Sequence, residues 1–242
     1  MNIYSLGNIG EILSGNSYAG RGIIVGKAPG GIAVTAYFIM GRSENSRNRV
    51  FVKEGDDVTI YPFDESKVED PSLIIYSPVK CAKDTLIVTN GDQTDTVKKH
   101  ILMGGTFASA LETREFEPDA PNYTPRISGI CYFGDGDMRY QLHICKSIDE
   151  DGSDCVRELF SYPAKAGLGH FLHTYVTDGN PIPTFVGEPE RIAIPDTIDA
   201  FTAAIWENLD ETNKISLYTR YVDLTTGEYE TRLINKNVRD EE

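Results

Sequence analysis

The chain has 242 residues, 40% of them hydrophobic and 10% aromatic, which suffices to bury a sizeable core. Its 23 Lys and Arg stand against 37 Asp and Glu, a formal charge of −14. That balance disfavours nucleic acid, whose binding rests on neutralising many phosphates, but it leaves room for one small anion wherever basic residues gather. No apolar stretch approaches the ~20 residues that span a bilayer. The start, MNIYSLGNIGEIL, lacks the basic residues and apolar run of a signal peptide. Cys81, Cys131, Cys145 and Cys155 show no C-x-x-C spacing, so reduced thiols in a cytoplasmic protein are the simplest expectation, with Cys131 and Cys145 near each other on paired strands.

Residues 1–17, rich in Gly, Asn and Ser, read as a polar lead-in. Ile23–Val25 reads as a short buried strand, Gly26–Gly31 as a turn, and Ile32–Met40 as the partner strand. Lys27-Ala28-Pro29-Gly30-Gly31 lacks the Lys-[Ser/Thr] ending and following helix of a phosphate loop, and a Pro-Gly-Gly turn explains it. Beyond Met40 the chain breaks at Gly41 and presents Arg42, Arg47 and Arg49 among Ser43, Asn45, Ser46 and Asn48. Guanidiniums suit bidentate recognition of phosphate or carboxylate, and small polar side chains complete such a site. Two readings stand side by side: an arginine-lined pocket for a small anion, or a polar connection whose arginines are solvated or paired locally.

Arg49–Lys53 and Val58–Tyr61 read as strands, Asp64–Pro71 as an acidic loop, and Leu73–Val79 and Thr85–Thr89 as further strands. Asp92 or Thr94 can cap a helix whose apolar face is Val97, Ile101 and Leu102, and a second helix is expected over Thr106–Arg114. Glu115–Pro125 is a proline-punctuated loop. Arg126–Phe133 and Met138–Lys146 form a hairpin about Gly134-Asp135-Gly136-Asp137, followed by the strand Cys155–Tyr162. Gly169–Tyr175 is expected as a short helix, Asp178–Pro195 as a Pro-rich connection, and a helix capped by Asp196 runs to Leu209. Ile215–Asp223 and Tyr229–Ile234 close the chain as a hairpin. About ten strands in consecutive hairpins, with helices grouped between them, make a single α+β domain over 1–242 with largely antiparallel sheets.

On a helix, His170 and His173 would share a face, but no Cys, Asp or Glu at matching spacing completes a metal shell. The acidic run Asp149–Asp154 lacks the distal Glu of a calcium loop and reads as a turn. There is no G-x-S-x-G elbow, so any chemistry must come from positioning, acid–base groups and electrostatics. Tyr76 beside its apolar run, Glu117 in the proline-bounded loop and Arg126 at a strand start gain meaning only if they share a pocket.

Four motifs in one order carry a resemblance: Tyr18-x-Gly20-Arg21; Ala36-Tyr37 with Gly41-Arg42-Ser43 and Asn48-Arg49; Asn90-Gly91-x-x-Thr94-Asp95-Thr96; and Thr124-Pro125-Arg126-Ile127. Together the motifs resemble the archaeal-type IMP cyclohydrolase family. The resemblance implies a four-layered αββα sandwich like that of N-terminal nucleophile hydrolases, without their nucleophile. It implies dehydrative closure of 5-formamido-imidazole-4-carboxamide ribonucleotide to inosine monophosphate (IMP) in purine biosynthesis. It implies no cofactor or metal, a nucleotide substrate and product as partners, no membrane, and a homo-oligomer by analogy. By motif position, Arg42, Tyr76 and Glu117 fall on the family's catalytic residues. Arg21, Arg49 or Arg126 would hold the 5′-phosphate, Ser43 and Asn48 flank them, and Asn90, Asp92 and Thr94 would contact ribose or base. This chain departs from the family in its lead-in, the extra Ser46-Arg47 and longer acidic loops. A nucleotide binder without turnover and an amide hydrolase on the related fold are the rival readings.

Overall fold

The computed structural model describes residues 4–68 and 75–238. In chain order the elements are α1 (Ile9–Leu13), β1 (Arg21–Ala28), β2 (Ile32–Met40), α2 (Glu44–Arg47), β3 (Val50–Glu54), β4 (Asp57–Tyr61), β5 (Val79–Ala82) and β6 (Thr85–Thr89). There follow α3 (Gln93–Leu102), α4 (Phe107–Leu111), β7 (Arg126–Gly134), β8 (Asp137–Ser147), β9 (Cys155–Pro163), β10 (Leu168–His173), β11 (Glu190–Ala193), α5 (Ile198–Trp206), β12 (Lys214–Asp223) and β13 (Tyr229–Asn235). They build two antiparallel sheets, in the orders β11-β10-β1-β2-β12-β13 and β3-β4-β5-β6-β7-β8-β9.

Three apolar clusters hold these parts together. Between the sheets lie Ile23, Tyr37, Ile39, Val88, Leu142 and Tyr218. On the far side of the first sheet, Phe38, Phe171 and Leu217 pack on Ile9 and Leu13 of α1 and on Phe201 and Ile205 of α5. Beyond the second sheet, Ile87 and Ile130 meet Val97, Phe107 and Leu111 of α3 and α4. Strands buried on both faces explain the near-continuous apolar runs of β2 and β6. A side chain also stitches the sheets along one edge: Asn235 accepts the Phe51 N–H at 2.8 Å and donates to the Phe51 carbonyl at 2.9 Å, as a neighbouring strand would.

Several expectations need correction. The lead-in is part of the core: Asn8 caps α1 by accepting the Gly10 N–H at 2.8 Å, and Ile9 and Leu13 are buried. Asn8→Ala is expected to cost about 1 kcal/mol. An unchanged unfolding midpoint in urea would show that this helix adds nothing. Gly169–Tyr175 is not helical, because a short apolar run takes the state of its partner, and here β10 pairs with β1 in register Ile24↔Phe171. His170 and His173 consequently face opposite sides of a strand. His170 meets Tyr140 at 2.6 Å between the sheets, whereas His173 meets Glu190 at 3.0 Å.

Among the described residues no group of three or more His, Cys, Asp or Glu is placed to hold a metal ion. The cap of α5 is Thr197, not Asp196. β11 lies inside the Pro-rich connection. Of the expected strand Leu73–Val79, residues 73 and 74 lie outside the described residues, 75–78 are irregular, and β5 begins at Val79. Cys131 and Cys145 sit far apart along their hairpin, opposite Tyr140 and Arg126, and the four cysteines are free. No described helix is long and apolar enough to cross a membrane.

Candidate functional site

In an antiparallel sheet the start of one strand lies beside the end of its neighbour. One end of the two sheets therefore collects the start of β1, the end of β2, the start of β3, the end of β6, the start of β7 and the end of β10. A cavity of about 990 Å³ opens there. Among its lining residues are Arg21, Arg42, Ser43, Arg49, Tyr76, Asn90, Asp92, Glu117 and Arg126. Asn48 and Thr94, expected beside them, do not line it. Asn48 is buried and clasps the backbone of Asp64, at 2.7 and 2.8 Å, and the Thr94 hydroxyl is spent on Thr89 at 2.6 Å.

The arginines fall into three environments. At the mouth, Arg42 lies over the Tyr18 ring, 5.3 Å from its centroid. Its Nη1 donates to Asp178 Oδ1 at 2.6 Å and to the Gly179 carbonyl at 2.7 Å. On the second-sheet wall, Arg126 Nη1 lies 3.0 Å from Asp92 Oδ1 and donates to Gln93 Oε1 at 2.9 Å. Asp92 also pairs with Arg114. Burial opposes the Asp92 charge, but the two guanidiniums outweigh it and hold its carboxyl below the usual range. This carboxylate faces its arginines and makes no cap bond to α3. Arg47 lies off the cavity, bonded to the Gly41 carbonyl and to Asn213.

Arg21 and Arg49 differ from these. Neither makes an ion pair among the described residues. Arg21 donates to the Met40 carbonyl and is ringed by Tyr18, Tyr37, Tyr76 and Glu117. Burial works against its charge, and the phenols and Glu117 outweigh that penalty. The Arg49 side chain makes no hydrogen bond among the described residues, and its Nε is buried without a partner. Burial, and then the neighbouring Arg21, push its pKa down. Two adjacent cations that form no ion pair among the described residues, with Glu117 near both, repel one another in the empty pocket and favour an anion in it.

Beside them stand two groups able to move protons. The Tyr76 hydroxyl lies 3.2 Å from that of Tyr37, in reach of a shared proton. Glu117 is held by its N–H on the Thr124 carbonyl at 2.9 Å, and Oε1 is 4.0 Å from Arg126 Nη1. Its side chain keeps 37% of its surface open, yet it sits within the walls of the cavity. Burial raises its pKa, and Arg126 and Arg21 offset this only in part.

Asn90 shapes the rim rather than offering itself to a ligand. Its amide donates to the Pro125 carbonyl at 2.8 Å and accepts from the Ile127 N–H at 2.9 Å. At Gly91 a Cβ would come 2.3 Å from Arg126 Nη1, so a larger residue would push that guanidinium from its place beside Asp92. Gly20, at φ +76, leaves no room either: a Cβ would meet Thr174 Oγ1 at 2.2 Å.

The cavity also takes Asp119, Asn122, Thr174, Tyr175 and Ile182, which sequence reasoning passed over. Tyr175 stacks on Tyr18 with centroids 5.8 Å apart, and its hydroxyl meets Thr124 Oγ1 at 2.6 Å. Thr124 in turn donates to Asp119 at 2.5 Å. The motif around Thr124 was a usable signal for Asp119. Tyr175 offered none, because its segment read as helix.

Fold and cavity thus define an α+β protein of two antiparallel sheets with an arginine-bearing pocket at one end. The chain belongs to the IMP cyclohydrolase-like protein family, whose model matches residues 18–227. It is similar to an IMP cyclohydrolase of Methanococcus aeolicus, 30% identical over 162 residues, which are 65% of this chain and 74% of that protein. Those of Methanocella arvoryzae and Methanocaldococcus jannaschii are 34% and 32% identical, over 47% and 48% of this chain and 57% and 60% of their own lengths. The chain thus spans under two thirds of the last two.

Proposed function

We propose that this protein is an IMP cyclohydrolase, closing 5-formamido-imidazole-4-carboxamide ribonucleotide to IMP with loss of water. The observation that carries this reading is the placement of two guanidiniums that make no ion pair among the described residues, Arg21 and Arg49, beside Tyr76 and Glu117 in one cavity. The cavity volume lies at the upper end of the ~300–1,000 Å³ usual for small-molecule sites, ample for a mononucleotide. The stacking of helices, sheet, sheet and helices supports the four-layered αββα sandwich of N-terminal nucleophile hydrolases.

In this reading the substrate carboxamide nitrogen attacks the formyl carbon, forming the new C–N bond. Glu117 takes the nitrogen's proton, aided by the raised pKa that burial gives it. The formyl oxygen gathers negative charge, which Arg21 and Arg49 stabilise. Tyr76 gives that oxygen one proton and protonated Glu117 returns the second, so that it leaves as water while the formamide nitrogen yields its own proton to the Tyr76 phenolate and the ring C=N forms. Both reacting groups belong to one molecule, so holding the reactive conformer captures much of the rate advantage. Arg42, apart from this cluster at the mouth, receives the 5′-phosphate, with Ser43 beside it.

The test is to mix purified protein with the formylated nucleotide and follow purine absorbance against a no-enzyme control. Catalytic appearance of IMP is the expected result. Saturable nucleotide binding without turnover would replace this reading with that of a non-catalytic binder.

A further inference from the structure

The mouth of the cavity carries the Arg42–Asp178 ion pair, which a phosphate bound at Arg42 would displace. Asp178 and Gly179 lie in a loop closed at its base, where the Val176 N–H donates to the Pro183 carbonyl at 2.9 Å and Tyr175 bridges Thr184. The loop is tied on both flanks: Asn16 donates to the Val176 carbonyl at 2.9 Å, and the Ile182 N–H donates to Asn122 at 3.1 Å. Its tip is ordered too, since Asp178 Oδ1 accepts the Gly179 N–H at 2.8 Å and Arg42 Nη1 at 2.6 Å. The carboxylate is therefore presented to Arg42 by a built loop. The pair is also half-open, with side chains 34% and 41% exposed. Such pairs add little stability, so an incoming dianion exchanges with one easily.

We propose that Asp178 is an internal competitor for Arg42, a latch that occupies the phosphate-binding guanidinium in the empty protein and sets how tightly 5′-phosphorylated nucleotides are held. This rests on the cyclohydrolase reading of the cavity, and it makes Asp178 a specificity determinant lying outside the chemistry. When the nucleotide enters, its phosphate takes the Arg42 donors and the carboxylate returns to water. On release the carboxylate recloses on Arg42, which keeps the product from holding the enzyme. Only the phosphate competes, so a nucleoside lacking it is indifferent to the latch.

Titration calorimetry of IMP and of inosine, on the full chain and its variants, tests this. Asp178→Asn keeps the oxygen that accepts from Gly179 and Arg42 but removes the charge. It is expected to tighten IMP about two- to fivefold and leave inosine unchanged. Arg42→Met is expected to weaken IMP without moving inosine, and Asp178→Asn added to it should do nothing more. Weaker IMP binding by Asp178→Asn would overturn the latch in favour of a carboxylate that positions Arg42. Equal shifts for IMP and inosine, an effect that persists without Arg42, or no IMP binding by any form would overturn it as well. Turnover of the formylated nucleotide by the unaltered chain is measured alongside. Its absence rejects the cyclohydrolase reading, while the comparison of IMP with inosine still judges the latch.

Discussion

Glu117→Gln is expected to lower turnover by about 10²–10⁴-fold, the range a positioned general base supplies. The pH profile separates this from a loss of packing. Burial raises the Glu117 pKa, and Arg126, Arg21 and Asp119 then act on it with mixed signs, the net direction being up. A base works only when ionised. Activity should therefore climb with pH through a limb placed above the ordinary carboxylate range, and fall as the pH drops and Glu117 takes a proton. Glutamine cannot titrate, so the limb should vanish from kcat/KM in the variant. The same acid limb in both proteins would assign it to another group and remove Glu117 from the proton transfer.

The second large effect concerns Arg49. Arg49→Met is expected to cut turnover by about 10²–10³-fold, as when one donor to a developing oxyanion is removed. The same change should leave the melting temperature where it is or raise it. The reason is the empty site: Arg49 has a buried Nε without a partner, makes no ion pair among the described residues, and is opposed by burial and by the neighbouring Arg21 more than Glu117 favours it. Methionine fills similar space, removes a like-charge repulsion and leaves no polar atom unsatisfied. A variant that melts lower while turning over normally would make Arg49 a structural residue and empty the argument for an anion held there.

How much of this could be read from sequence depends on what each signal reports. Ile32–Met40 and Thr85–Thr89 coincide with β2 and β6, because long branched runs bounded by glycine, Asn and Asp specify strands without help. Gly169–Tyr175 misled because seven residues with Phe171 and Leu172 at their centre fit either state, and the deciding fact is β1 alongside. Around the cavity, Arg21, Arg49 and Arg126 were legible as arginines at strand starts. What the sequence could not show was the separation of these three and Arg42 into one clasped by Asp178, one held by Asp92 and two that make no ion pair among the described residues. That sorting depends on Asp178, 136 positions from Arg42, which only the fold brings within reach. Asn48 and Thr94 have the chemistry of ligand contacts, but their polar groups are spent on Asp64 and Thr89.

Two small attachments outside the matched stretch bear on how the protein holds its shape. The family match runs over residues 18–227, yet Ile9 and Leu13 are seated under the first sheet and Asn235 joins Phe51 of the second sheet to the last strand of the first. Phe51 follows Arg49 by two residues, so the far end of the chain braces the strand that carries a pocket guanidinium. The span by which the chain is recognised is therefore narrower than the span that must melt as one body, and a cut made at the edges of the likeness would fall inside the cooperative unit.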